Sequence, residues 1–244
     1  MALRVAVVGL GARGLEWART VRMVADAELV GAADVNGEVR ARASGDPSLA
    51  GLPVAPDLAS LLSSAHPDAV VVATAAEHHP GTAEDAITAG LGVLVEKPFT
   101  LDLRTAVRLV GLAESRRVPL LVAQNQRYMR AHRAVRRLMQ AEVLGPLSAV
   151  TCHYWRASHV ANTSLAALDA SALWETGVHH LDALRYTLGR RVVGVAADVS
   201  SAPWATALRG TSARVLLEFE GGVRGEYSVS WDAPGHEFFE AGQQ

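Results

Sequence analysis

The chain has 244 residues, half of them hydrophobic and a fifth charged, which is enough for two modest cores. A formal net charge of −2 excludes a general nucleic-acid or anionic-membrane surface, which needs an excess of Lys and Arg, and points to small-molecule partners. Cys152 has no mate, so disulfides within the chain and four-thiolate zinc sites are excluded. No apolar run is long enough to span a bilayer. Met1-Ala2 leads straight into a strand-like run without a signal-peptide pattern, so the expected location is the cytoplasm.

From Leu3 to about Ala123, short β-branched runs alternate with segments of helical period. RVAVVG precedes a helix over 15–24, AELVGAAD one over 39–44, DAVVVAT one over 80–89 and GVLVE one over 103–116, and PLLVA closes the series. Continuous apolar strands separated by helices predict a parallel sheet covered on both faces, an open α/β domain spanning residues 1–123. Gly51, Pro53 and Pro56 mark loops inside it.

Residues 124–244 read as a second, α+β domain with a mostly antiparallel open sheet. A connecting helix is expected over 127–139, with Arg127, Arg130, Arg133, Arg136 and Arg137 opposite Tyr128, Ala131, Val135 and Leu138. Most of these arginines are expected to form a solvated face, Arg127 being the exception. LSAVTCHYWRA, RVVGVAADVSS, SARVLLEFE and VRGEYSVSW read as strands, the last two joined in a hairpin by Gly221-Gly222. A helix over 174–188 falls between the first two. Trp155, Trp174, Trp204 and Trp231 suggest large side chains gathered on one sheet face.

Three motifs carry chemistry. Gly9-Leu10-Gly11-Ala12-Arg13-Gly14 follows a strand and opens a helix, the context in which a glycine loop cradles a pyrophosphate at a helix N-terminus. Asp34, twenty residues beyond Gly14, ends the second strand, where a carboxylate accepts hydrogen bonds from ribose hydroxyls. Asp34 would repel a 2′-phosphate, and with Val35 and Asn36 beside it and no neighbouring Arg, NAD is favoured over NADP.

Glu96-Lys97-Pro98 ends GVLV, and ligands of open α/β sheets bind beyond the carboxyl ends of the strands. Lys97 therefore points into the crevice, or else is a solvated lysine paired with Glu96. Third, on a helix over 174–188, Glu175, His179, Asp182 and Tyr186 share one face, and Leu181, Leu184 and Leu188 lie opposite. A carboxylate four residues before an imidazole can orient it as a general base; the alternative is a solvated polar face. His78-His79 is better read as a helix start than as half a metal site, since no third ligand is evident and no metal is expected. Cys152, in an apolar strand, reads as a buried small hydrophobe.

Together these motifs resemble the glucose-fructose oxidoreductase, inositol dehydrogenase and MocA-like family over residues 3–231. The likeness includes AITAGLGVLVEKP, AQNQRY and ETGVHHLDALRYTLG. The resemblance implies that Lys97 is the active-site lysine and His179 the general acid/base, with Glu175 where many members carry Asp. Asn125 and Arg127 would lie near nicotinamide and substrate. Thr74 fits the loop after DAVVVAT, although Ala75-Ala76 replaces the commoner Pro-Asn. The implied cofactor set is thus Gly9, Gly11, Ala12, Arg13, Gly14, Asp34, Thr74, Glu96 and Asn125, with Lys97, Arg127 and His179 on the substrate. The implied reaction is hydride transfer between a secondary alcohol of a sugar, cyclitol or related polyol and the nicotinamide. A non-catalytic NAD-binding sensor, NAD-assisted glycoside cleavage and imine reduction remain alternatives on the same scaffold. Family members usually continue beyond VRGEYSVSW, so the chain reads as shortened, with Trp231, Phe238 and Phe239 expected at an exposed sheet. A homo-oligomer through that sheet is expected.

Overall fold

Strands β1 (Leu3–Val8), β2 (Ala27–Ala33), β3 (Val54–Ala55), β4 (Ala69–Val72), β5 (Gly92–Val95) and β6 (Leu120–Val122) form a parallel sheet in the order β3-β2-β1-β4-β5-β6. The structure is a computed structural model that describes residues 1–156, 168–205 and 209–232. The chain divides into two units, Met1–Ala123 and Gln124–Gln244. Helices α1 (Ala12–Met23), α2 (Gly37–Ala43), α3 (Leu58–Ala65), α4 (His79–Thr88) and α5 (Leu103–Arg116) connect the six strands. β1 shows why its apolar run is continuous: Ala6 and Val8 pack with Leu61, Ile87 and Leu109 on one face, while Val5 and Val7 pack with Ala18 and Leu29 on the other.

The region of Gly51, Pro53 and Pro56 holds more than loops. β3 pairs in parallel with β2, and α3 follows with Asp57 as its N-cap, accepting from the Ser60 N–H at 2.7 Å. The serines of LASLLSSA hide a helical stripe in which Leu58, Leu61 and Ala65 are buried.

In the second unit, α6 (Arg130–Gln140) follows a 3₁₀ turn over Asn125–Tyr128, and the sheet comprises β7 (Ala149–Trp155), β8 (Val192–Ser200), β9 (Ser212–Phe219) and β10 (Val223–Ser230). Their order is β7-β10-β9-β8, antiparallel except for the β7–β10 pair. β9 and β10 make the expected hairpin, with Gly221 and Gly222 at φ of 82° and 77°. Phe219, Tyr227, Val215 and Val229 face a core closed by Leu181, Leu184 and Leu188 of α7 (Val178–Leu188).

Three expectations need correction. The tryptophans do not share one core: Trp155 and Trp204 are exposed, whereas Trp231 is only 2% exposed and donates from Nε1 to Thr176 Oγ1. Trp231 therefore does not lie on an exposed surface, and Phe238 and Phe239 fall outside the described residues. On α6, Arg130, Arg133 and Arg137 are exposed as expected, but Val135 and Leu138 are exposed as well, and His132, Arg136 and Met139 are half-buried instead. Long arginine stems can cover a neighbouring helix while their guanidinium groups find oxygens, so periodicity alone did not decide which face packs. The helix over 174–188, lastly, starts as a π turn over Leu173–Gly177 before α7. A Cβ on Gly177 would stand 3.0 Å from Leu173 Cδ2 and 3.4 Å from Tyr227 Cε1, so the wide turn is closely packed.

Among the described residues, no helix is long and apolar enough to cross a membrane. Phe219 is completely buried, so Phe219→Ala is expected to cost about 3–5 kcal/mol. Val193→Thr, on the exposed β8 edge, should change stability by no more than about 0.5 kcal/mol. Urea denaturation of both variants checks this.

Candidate active site

The glycine loop divides its work by position. Gly9 has a φ of 94°, and a Cβ there would stand 2.5 Å from the backbone of Ala73 and Thr74. A Cβ on Gly14 would meet the carbonyl oxygen of Gly9 at 1.7 Å. These two contacts leave no room for a side chain, so strand and helix close tightly. Gly11 differs, because a Cβ there would enter open space. It is the N-cap of α1, and no side chain caps that helix. The first-turn N–H groups are therefore available to an anion, with Ala12 and Arg13 exposed beside them.

Asp34 directly follows β2, as expected. Its Oδ2 accepts from the Leu10 N–H and its Oδ1 from the Asn36 N–H, both at 2.8 Å. The carboxylate is thus fixed against the glycine loop with lone pairs to spare for ribose hydroxyls. The surroundings of Asp34 are not free of positive charge, however. Arg40 Nη1 donates to the carbonyls of Asp34 and Val35 at 2.7 and 3.0 Å. Reading only the adjacent positions missed it, since the first turns of α2 bring a residue six positions on back to the loop.

Thr74 follows β4 closely. Among the described residues, its Oγ1 is a buried oxygen for which no hydrogen-bond partner is found, a state that normally signals a missing ligand or water. Glu96 is buried, and its carboxylate turns toward α1: Oε1 accepts from Trp17 Nε1 at 2.8 Å and lies 3.5 Å from Arg13 Nε. Its Oε2 accepts from the Lys97 N–H at 3.0 Å. Glu96 therefore holds the backbone from which Lys97 projects. The Lys97–Pro98 peptide is cis.

In the second unit, His179 lies half-buried on the first turn of α7, and its Nδ1 faces Gln124 Oε1 at 3.1 Å. Gln124, in the AQNQRY segment, was not singled out from the sequence; its only signal there was its place beside Asn125. Asn125 itself is exposed, and Glu175 is half-buried within the π turn, where the assumed advance of 100° per residue does not hold. His180, one residue on, turns instead into the core. Its Nδ1 is 3.0 Å from the Tyr227 hydroxyl and its ring packs on Tyr154. Burial, and then the charge of His132, push the His180 pKa down, and burial pushes the Tyr227 hydroxyl up. The doubled histidine thus splits into a core residue and a candidate base.

Arg127 grips Asp182 of α7 through two bonds, Nε to Oδ2 at 2.6 Å and Nη2 to Oδ1 at 2.5 Å. This bond to Asp182 holds the Arg127 pKa above its usual value. Arg136 donates to the Tyr186 carbonyl and lies over the Tyr186 ring, 4.5 Å from its centroid. Arg127, expected to differ from the solvated arginines, and Arg136, expected among them, are therefore both fastened to α7.

Residues 3–124 match the model of an oxidoreductase family with an NAD-binding Rossmann fold, and residues 132–243 match the Gfo/Idh/MocA C-terminal domain. The chain belongs to the Gfo/Idh/MocA family. It is 31% identical over 84% of its length to a UDP-N-acetylglucosamine 3-dehydrogenase of Acidithiobacillus ferrooxidans, covering 62% of that protein. It is also 33% identical over 79% of its length to inositol 2-dehydrogenase 3 of Saccharopolyspora erythraea, covering 56% of that one. The chain thus spans about three-fifths of these two relatives. The crystal structure of GenD2 from gentamicin A biosynthesis, in complex with NAD, superposes with a TM-score of 0.83 at 28% identity over 96% of this chain and 67% of that one. The uncapped α1 N-terminus, the open space at Gly11 and the unpartnered Thr74 hydroxyl all fit the dinucleotide for which this family's Rossmann fold is named.

The Arg127–Asp182 pair yields a stability prediction. Arg127→Ala should lose about 1–3 kcal/mol, because Asp182 is left mostly buried without its partner. Arg127→Lys should recover less than half of that loss, since an ammonium cannot offer two parallel N–H groups. Chemical denaturation of the three proteins measures both effects.

Proposed function

We propose that this chain carries out NAD-dependent oxidation of a secondary alcohol of a sugar, cyclitol or related polyol, or the reverse reduction. The observation that carries this reading is the environment of His179. With Nδ1 donating to the Gln124 amide oxygen, Nε2 is the nitrogen with the lone pair, as a base receiving a hydroxyl proton requires. Gln124 orients the imidazole through Nδ1, and Glu175, four residues before His179, is assigned the supporting negative charge. Lys97, its backbone held by Glu96, stabilises the developing alkoxide with its ammonium. Arg127 keeps α7 in place through Asp182 and borders the substrate. Bound NAD supplies the C4 position that accepts the hydride. The α1 N-terminus and the bare backbone at Gly11 receive its pyrophosphate, Asp34 its adenosine ribose, and Thr74 and Asn125 its nicotinamide half. The dehydrogenases of inositol and of UDP-N-acetylglucosamine among the relatives support a polyol or sugar substrate.

The test is a screen of polyols and sugars with NAD and NADP, following the absorbance of reduced nicotinamide. Turnover with a polyol is expected, with NAD bound more tightly than NADP. Asp34→Ala should narrow that gap, whereas Arg40 alone offers 2′-phosphate too little to reverse it. His179→Ala should lower turnover by about 10² or more while leaving the Kd for NAD within about twofold. Retention of most turnover would sink the assignment of the base.

The outer face of the second sheet supports a homo-oligomer. Leu216 and Trp155 are 53% and 55% exposed there, beside an Arg214–Glu226 ion pair. The two lie two strands apart on a face that, among the described residues, no helix of this unit covers, and exposed apolar side chains on such a face favour association with a second copy. Light scattering should show a dimer or larger species, and Leu216→Lys should shift it toward monomer. A monodisperse parent monomer would remove the idea.

A further inference from the structure

His79 opens α4 and is 2% exposed. A polar ring in that position must have its nitrogens bonded. Nδ1 lies 2.8 Å from the carbonyl oxygen of Pro98 and Nε2 lies 3.0 Å from the carbonyl oxygen of Thr74. Both neighbours are acceptors and neither can donate. A neutral imidazole has one N–H, so its other nitrogen would set a lone pair against a carbonyl. The ring N–H therefore ties His79 to one of the two carbonyls, and the ring fills the space between them. With both nitrogens facing carbonyls, neither can ligate a metal.

The two carbonyls belong to the segments on which the proposed chemistry depends. Thr74 carries the unpartnered buried hydroxyl, and Pro98 immediately follows Lys97. On its other side the Lys97 turn is tied by Glu96 to Trp17 on α1. We propose that His79 is a positioning residue whose ring, set between the carbonyls of Pro98 and Thr74, holds the Thr74 loop and the Lys97-Pro98 turn at a fixed spacing. Without it, each segment keeps its strand but loses the ring that sets its distance from the other. The consequence for cofactor and alkoxide rests on the function proposed above; the hydrogen-bonding state of the ring does not.

The first measurement is therefore made on the unaltered full chain. In a ¹⁵N-labelled sample the His79 ring should show an N–H that exchanges slowly with solvent, as a buried donor bonded to a carbonyl does. Its signals are assigned by proximity to Thr74 and Pro98 protons and by their loss in His79→Gln. A ring N–H that exchanges as fast as that of an exposed histidine would overturn the proposal. The second measurement is NAD binding. Gln can donate to a carbonyl but does not fill the space of the ring, so His79→Gln should weaken NAD binding by about tenfold, and His79→Phe, which donates to neither carbonyl, by more. Both should keep a cooperative thermal transition. If His79→Gln binds NAD as tightly as the parent, the positioning role is refuted. If the parent itself binds no NAD, the cofactor reading fails, while the exchange of the ring N–H still decides the role of His79.

Discussion

The approach of Gly14 to the carbonyl of Gly9 is the contact from which the first unit's site is built. It brings α1 onto the end of β1 so closely that no Cβ fits between them. Because the helix starts there, its uncapped N–H groups open at the carboxyl edge of the sheet, and Trp17 on its second turn reaches Glu96 at the end of β5. Glu96 in turn holds the Lys97 N–H. One steric constraint in the glycine loop thus propagates through an indole and a carboxylate to the lysine turn. Substitution at Gly14 would therefore disturb more than the phosphate cradle.

The carboxyl edge of the parallel sheet is otherwise fastened by polar side chains that bond to backbone. Asp34 accepts from Leu10 and Asn36, Arg40 reaches the carbonyls after β2, and His79 spans Thr74 and Pro98. Loops at this edge have no strand partners for their backbone groups, so side chains must supply them. The same groups that satisfy the loops leave a helix N-terminus, a carboxylate and a buried hydroxyl facing whatever binds there. A preorganised loop set of this kind spends little free energy on rearrangement when a dinucleotide arrives.

In the second unit, the corresponding device is the fixing of α7. Leucines bury one side of it against the sheet, Arg127 and Arg136 clasp the other, and the preceding π turn packs Gly177 against Tyr227. Consecutive helical residues point about 100° apart, so His180 lands in the aromatic core while His179 meets Gln124. Chemical identity cannot separate the two histidines; their neighbours do.

Much of this architecture was legible in the order of residues. The alternation of apolar runs with helical period specified the parallel sheet, because a strand buried on both faces must be apolar throughout. Gly9, Gly11 and Gly14 announced their separate steric roles by spacing alone, and Asp34 its place at a strand end, since these depend on local geometry within one βαβ unit. The hairpin at Gly221-Gly222 was likewise local. Tertiary structure decided what depended on partners distant in the chain. Examples are the capture of Arg127 by Asp182 55 positions away, the turning of Glu96 toward Trp17 79 positions away, and the burial of His79 between two carbonyls. It also decided which face of α6 packs and which tryptophan is buried. Periodicity reports which residues share a face, but the free energy of burying a polar side chain depends on whether a bonding partner waits there, and that is known only once the chain has folded.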